Sequence, residues 1–316
     1  MTRKTVYILG AGFSSVVGIP TMKYFLKEAR NIAYNNNDDE MKKIIECIDN
    51  LSKIRNHCKS DYFLNVEEAF SLLEAEDRIK GSKEKHSLMV NLIKKVIEKN
   101  TPSMMEIDGH KLNSKEEWYE KIYSKQEYKY KIFRFLLAIF CLEERGKKFI
   151  RKKTASEEQN DIITFNYDTL LENSLESINE YALENCKIEF DKDVHLYKLH
   201  GCVKKNNIVP PTWAKYITET EDESYKELKD IWRKAYEKIK EANKLVFIGY
   251  SMPKTDAHFN YFLKYAINNT KNLQEIYVID NKDTIKENYN EIFETYEFIG
   301  RCWTELNNWE NMSTIM

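Results

Sequence analysis

The sequence predicts an α/β protein: a doubly wound parallel sheet carrying a large helical insertion. Two observations predict it. Short apolar runs alternate with segments of helical periodicity, the pattern of strands covered by helices on both faces. Glycine and proline, few in this chain, cluster just after those apolar runs, where a sheet of this kind gathers its ligand-binding loops.

The strand signals are TVYILG (5–10), DIITF (161–165), VHLYKLH (194–200), KLVFIG (244–249), EIYVID (275–280) and YEFIG (296–300). Helical patterns fill 169–183, 223–243 and 257–268 between them. Residues 31–155 break the alternation. They carry amphipathic stretches at 65–79, 84–100 and 129–144, with polar joints NNNDDE (35–40) and RKKTASEEQN (151–160) at the edges. The expected organisation is a sheet domain from 1–30 and 156–316, with 31–155 as a helical subdomain.

Bulk properties exclude several classes. The chain has 316 residues, of which 42% are hydrophobic and 32% charged, with a net charge of -2. That balance gives no electrostatic footprint for nucleic acid or an acidic membrane. No apolar run approaches the ~20 residues that span a bilayer. Arg3 and Lys4 lead into the first strand, so no signal peptide is expected. The six cysteines form no C-x-x-C pair, which argues against a zinc ribbon and for a reducing, cytoplasmic setting.

Five stretches can carry chemistry. ILGAGFSSVVGIP (8–20) sets Gly10 and Gly12 in a turn after a strand, with Ser14 or Ser15 near a helix start; backbone N–H groups there favour phosphate. It departs from the dinucleotide fingerprint G-x-G-x-x-G, because Ser15 stands at the third glycine. ITFNYDTLLE (163–172) places Asn166 and Asp168 between a strand and a helix that Thr169 and Glu172 open as a capping box. These two residues either hold sugar hydroxyls or a water, or merely turn and cap the chain. YKLHGCV (197–203) puts His200 at a strand end before a glycine, as a general base or as a structural histidine. FIGYSMPKTDAHF (247–259) repeats a glycine–serine turn at Gly249 and Ser251, with Asp256 as a helix cap. YVIDN (277–281) ends in Asp280 and Asn281, candidates for an adenosine ribose or for a turn.

Together these stretches resemble the Sir2 (sirtuin) superfamily, in its zinc-free bacterial Sir2-like branch. The shared motifs are Gly10-Ala11-Gly12-Phe13-Ser14, Gly18-Ile19-Pro20, Asn166-Tyr167-Asp168, His200-Gly201 and Gly249-Tyr250-Ser251; GYSMPKTD and IVPPTWAK (208–215) also look like that branch. The resemblance implies a Rossmann-like sheet that binds NAD+ or ADP-ribose, with NAD+ as substrate and no metal. It implies catalytic roles for Asn166, which holds the ribose and positions water, for His200 as general base, and for Asp168 in orienting the loop or ribose. It implies a binding set of Gly10, Ala11, Gly12, Phe13, Ser14, Pro20, Gly249, Tyr250, Ser251, Asp280 and Asn281. Protein-deacylating sirtuins carry paired cysteines and Asp-Phe-Arg after Gly-Ile-Pro; here the cysteine pairs are absent and Thr21-Met22-Lys23 follows.

The resemblance therefore implies NAD+ hydrolysis to nicotinamide and ADP-ribose, in antiphage defence by NAD+ depletion. It leaves open cyclisation in place of hydrolysis. Two alternatives stand beside it: an NAD-dependent deacylase or ADP-ribosyl transferase, and a non-catalytic NAD- or ADP-ribose-binding assembly subunit. An NAD+-depleting enzyme must be restrained, so a homo-oligomer or an activating partner is expected: an ATPase, an Argonaute-like protein or a phage component. The region 31–155 is the expected seat of that control. Its helix from Asn65 either reaches the mouth of the site or packs Val66, Ala69 and Phe70 into the core.

Overall fold

The computed structural model describes residues 2–55, 65–107, 110–123, 128–153, 157–184, 186–205, 207–212, 223–301 and 303. Six strands form one sheet: β1 (Arg3–Leu9), β2 (Glu158–Thr164), β3 (His195–Lys198), β4 (Lys244–Ile248), β5 (Glu275–Ile279) and β6 (Glu297–Ile299). Their order is β6-β5-β4-β1-β2-β3. Every neighbouring pair is parallel. This is the doubly wound α/β sheet that the alternation predicts, with the strand order of a dinucleotide-binding fold.

The central strands read as unbroken apolar runs because both faces are covered. Alternate residues divide between the faces. Val6, Ile8, Ile163, Leu245 and Phe247 face one layer, built by α7 (Glu223–Glu241) and α8 (Ala257–Asn268) through Trp232, Ala235, Ile239, Phe259 and Leu263. Tyr7, Leu9, Ile162, Val246 and Ile248 face the other. That second layer contains α1 (Met22–Asn35), α2 (Asp39–Arg55), α3 (Val66–Lys80), α4 (Glu84–Asn100) and α5 (Tyr128–Ile139), all between β1 and β2, together with α6 (Leu170–Tyr181) after β2. Its apolar cluster is continuous from the sheet through these helices.

Local chemistry accounts for the boundaries. Asn65 opens α3 with a capping box: its side chain accepts from Glu68 N at 2.9 Å, and Glu68 returns a bond to Asn65 N. The helical pattern expected over 129–144 stops at Ile139. Cys141 adopts φ 53, and Leu142–Arg145 then pairs antiparallel with Lys148–Arg151 around a two-residue turn at Gly146-Lys147. A hairpin of this length takes its register from the turn, which overrides the apolar spacing. The joint expected at 151–160 is shortened at both ends, by this hairpin and by β2, which begins at Glu158 because it pairs along the whole of β1. In turn, β3 ends at Lys198, since Leu199 and His200 enter a turn closed by Gly201 N donating to Lys198 O at 3.2 Å.

Cys47, Cys141, Cys186 and Cys202 are free thiols; Cys58 and Cys302 lie outside the described residues. Among the described residues, no helix is long and apolar enough to cross a membrane.

Phe135 of α5 joins three parts of this layer. It is fully buried, with ring centroids 5.7 Å from Tyr7 of β1, 5.1 Å from Phe13 and 6.0 Å from Trp303. Phe135→Ala is expected to cost about 3–5 kcal/mol in denaturant unfolding. Ile79→Ala, at a position 86% exposed, should stay within about 0.5 kcal/mol of wild type. Equal unfolding midpoints for the two variants would refute the assignment of Phe135 as the junction.

Candidate active site

Strand register lines up one edge of the sheet. Lys198, Thr164, Leu9, Ile248, Ile279 and Ile299 form a single row across β3, β2, β1, β4, β5 and β6. Gly10, Asn166, His200, Gly249 and Asp280 each follow that row by one or two residues. Strand order reverses between β1 and β4, and such a switch point opens a crevice at the carboxyl ends of the strands.

At the switch point, the loops after β1 and β4 touch through their backbones. Gly10 N donates to Ile248 O at 3.0 Å and Gly12 N to Gly249 O at 2.9 Å. A Cβ on Gly10 would lie 2.4 Å from Gly249 O, and one on Gly249, whose φ is 60, would lie 2.5 Å from Gly12 C. Loop-to-loop contact thus requires these glycines, whatever they do for a ligand. Phe13 N donates to Gly10 O at 3.0 Å, so the N–H groups of Gly10, Gly12 and Phe13 are all bonded within the protein. Ala11 is exposed at the start of the short helix Ala11–Ser14. The Phe13 ring points into the core, stacked on Trp303 at 4.6 Å and 11°. Pro20 is half-buried ahead of α1.

Asn166 ties the loop after β2 to the loop after β1. Its Nδ2 donates to Gly10 O at 2.9 Å and to Ser14 Oγ at 3.0 Å. A carbonyl can only accept, so this fixes the orientation of the amide. Both amide N–H groups are engaged, and Oδ1, an acceptor, is what Asn166 has left to offer. The Ser14 hydroxyl donates onward to the buried Asp168 carboxylate. Asp168 Oδ1 also accepts from Leu170 N at 3.0 Å. Burial pushes its carboxyl above the usual range, against the opposing pull of the Lys198 ammonium, Leu170 N and Ser14.

The expected Thr169–Glu172 capping box does not form. Thr169 makes no side-chain cap bond, Asp168 serves the first turn of α6, and Glu172 pairs with Lys198 at 2.8 Å. A buried ammonium outcompetes a backbone N–H for the Glu172 carboxylate.

His200 is buried, its ring centroid 5.3 Å from Phe165 and 6.2 Å from Tyr167. Its carbonyl accepts from Val209 N at 2.9 Å, while Tyr167 Oη donates to Val209 O at 2.7 Å. These bonds lace the Asn166–Asp168 loop to the segment after His200. Gly201 is required there: its φ is 87, and a Cβ would lie 2.1 Å from Asn207 O. Of the stretch 208–215, residues 213–215 lie outside the described residues.

Tyr250 turns its ring inward, stacked on Phe165 at 4.6 Å, and donates its hydroxyl to Asp256 Oδ2 at 2.8 Å. Asp256 is consequently no side-chain cap for α8. Ser251 is exposed, and its carbonyl accepts from Asn288 Nδ2 at 2.9 Å. Asp280 forms a local turn, Oδ1 accepting from Lys282 N at 2.9 Å, and Asn281 is exposed. Burial raises the Asp280 carboxyl, against the pull of Lys282 and of the Asn281 backbone.

The fold thus gathers Gly10, Gly12, Ser14, Asn166, Asp168, His200 and Gly249 into one connected group. It leaves Ser251, Asp280 and Asn281 farther along the same edge. Sequence reasoning missed Lys198 and Trp303, read Glu172 only as a capping-box member and took Tyr167 only as the middle of the Asn166-Tyr167-Asp168 motif. For Lys198 there was a signal: a lone cation in the apolar run VHLYKLH, two positions before His200. For Trp303 there was none. Among the described residues, no three His, Cys, Asp or Glu side chains are gathered as metal ligands.

Residues 160–299 match the family model described as SIR2-like domain; the glycine loop at 10–20 precedes the matched segment. No curated protein matches the sequence. Similar solved structures include a Sir2 in complex with the inhibitor EX-527, 2′-O-acetyl-ADP-ribose and a deacetylated p53 peptide, at 11% identity and TM-score 0.33 over 99% of this chain and 95% of that one. A Sir2 enzyme studied for mechanism and regulation is 12% identical, with TM-score 0.37 over 99% and 93%. A sirtuin studied for substrate affinity is 14% identical, with TM-score 0.33 over 96% and 91%.

Gly249→Ala is expected to destabilise the protein by roughly 2–4 kcal/mol, from positive-φ strain and a backbone overlap that no side-chain movement relieves. An unchanged denaturant midpoint would show that the two loops do not depend on that contact.

Asp168 gives a pH prediction with a definite sign. Its folded value lies above its unfolded 3.8, so between the two the folded state holds a proton that the unfolded state has released. Stability from this group is full below pH 3.8 and falls as pH rises through the folded value. The margin of wild type over Asp168→Asn should therefore shrink as pH rises across that window, read from denaturant midpoints. A growing margin would mean that Lys198 outweighs burial.

Proposed function

We propose that this SIR2-like chain is an NAD+ glycohydrolase, cleaving the nicotinamide–ribose bond to release nicotinamide and ADP-ribose. The observation that carries the reading is Asn166. With both amide N–H groups bound to the glycine loop, it offers an acceptor at the switch point, in the loop laced to the segment of His200.

The chemistry asks for little covalent help. The leaving nitrogen of NAD+ is already cationic, so nicotinamide departs neutral while positive charge builds on the ribose. Asn166 Oδ1 accepts a hydrogen bond from the attacking water or a ribose hydroxyl and holds it in place. His200 takes the proton that water gives up as its oxygen bonds to C1′. Asp168 and Ser14 hold Asn166 in position from below. Ala11, the exposed residue of the glycine loop, is assigned to the pyrophosphate, with Ser251 toward the phosphates or ribose and Asn281 toward the adenosine end; the Ser14 hydroxyl is taken up between Asn166 and Asp168.

The role we assign is defence by NAD+ depletion, under control of homo-oligomer assembly or an activating partner, with the helical segment 31–155 as the receiving surface. The resemblance to zinc-free Sir2-like proteins supports it.

Purified protein incubated with NAD+, with and without the product of a neighbouring gene, should yield nicotinamide and ADP-ribose by chromatography. Asn166→Ala and His200→Ala are each expected to lower the rate by about 100-fold or more. Fully active variants would overturn the assigned roles. Nicotinamide release only with an acyl-lysine peptide would indicate a deacylase, and a cyclic product an internal nucleophile.

A further inference from the structure

Lys198 is the last residue of β3, two positions before His200, and its side chain is only 10% exposed. Its Nζ reaches three segments. It donates to the carbonyl of Asp168 in the loop after β2, lies 2.8 Å from Glu172 Oε1 in the first turn of α6, and lies 3.9 Å from Cys202 Sγ just beyond His200. Burial alone would pull this ammonium down, but Glu172, Cys202 and Asp168 hold it above the ordinary lysine value, so it stays charged.

Packing does not explain such a residue. An apolar side chain in this strand would avoid the desolvation that a buried ammonium suffers. Nor is the cluster fully compensated: Glu172 Oε2 is buried with no hydrogen-bond partner. What the ammonium supplies instead is connection. Asn166 lies two residues before Asp168, and His200 two residues after Lys198. A bond from Lys198 Nζ to Asp168 O therefore spans the gap between the strand ends that carry the two proposed catalytic groups.

We propose that Lys198 is a positioning residue, clamping the Asn166–Asp168 loop to the strand that presents His200. The clamp would keep the water-holding amide and the general base in fixed relation. Its catalytic meaning rests on the proposed NAD+ cleavage; its mechanical meaning does not.

The test uses the full chain. In Lys198→Met, kcat for nicotinamide release should fall about tenfold or more while KM for NAD+ stays within about twofold, because loop geometry and not ground-state binding is lost. Backbone amide exchange over Asn166–Leu170, followed by mass spectrometry, should speed up by about tenfold, with Glu275–Ile279 unchanged. Removing the ammonium also strands the Glu172 carboxylate. Lys198→Met/Glu172→Gln removes that charge, so its thermal midpoint should return toward wild type while kcat stays low; it replaces the single variant in every measurement if the latter does not fold. Unchanged exchange at Asn166–Leu170, full kcat, or recovery of kcat together with the midpoint would overturn the clamp. If wild type releases no nicotinamide but exchange still rises in the variant, the NAD+ reading fails and the clamp stands.

Discussion

Where the strand order reverses, two loops far apart in sequence meet through backbone atoms alone. Gly10 and Gly12 lie against Gly249 so closely that a single methyl group on Gly10 or Gly249 would fall 2.4–2.5 Å from a backbone atom. This contact locks β1 to β4 at the carboxyl edge and consumes the N–H groups of Gly10 and Gly12. It also sets the height of the Gly10 carbonyl, to which Asn166 is bound. The rest of the site is built on that carbonyl.

A glycine-rich turn after a strand is usually read as a cradle whose amides face a phosphate. Here three of its donors, the N–H groups of Gly10, Gly12 and Phe13, are satisfied internally. Any anion held by this loop must rely on Ala11 and neighbouring segments. The loop's polar groups are spent on holding Asn166 in one orientation. Such an arrangement suits a loop that orients a neighbouring side chain more than one that neutralises charge.

Beneath the loops lies a charged interior. Lys198 sits in a strand position where a parallel sheet normally carries an apolar side chain, beside the buried Asp168 of the loop after β2 and the half-buried Glu172 of α6, and buried charge is tolerated only when paired. On the same side of the sheet, the helices between β1 and β2 form one apolar cluster with Tyr7 and Leu9, joined through Phe135, Phe13 and Trp303. A displacement in those helices bears directly on the glycine loop, because Phe13 is part of both.

The six strands, most of the helices and the residues facing the switch point were legible in the sequence. Strand and helix differ in period, and glycine, asparagine and histidine at strand ends are local marks. Local rules failed where another side chain or a tight turn competed. Glu172 left its capping box for Lys198, Asp256 gave up its cap for the Tyr250 hydroxyl, and the run after Ile139 became a hairpin. Which partner a polar side chain takes depends on desolvation and on neighbours remote in the chain, and only the tertiary structure decides that. The sequence by itself determined that Asn166 and His200 each stand at the end of a strand. Only the folded chain decided which end of the Asn166 amide remains for a ligand, because that follows from the carbonyl of Gly10, more than 150 residues away.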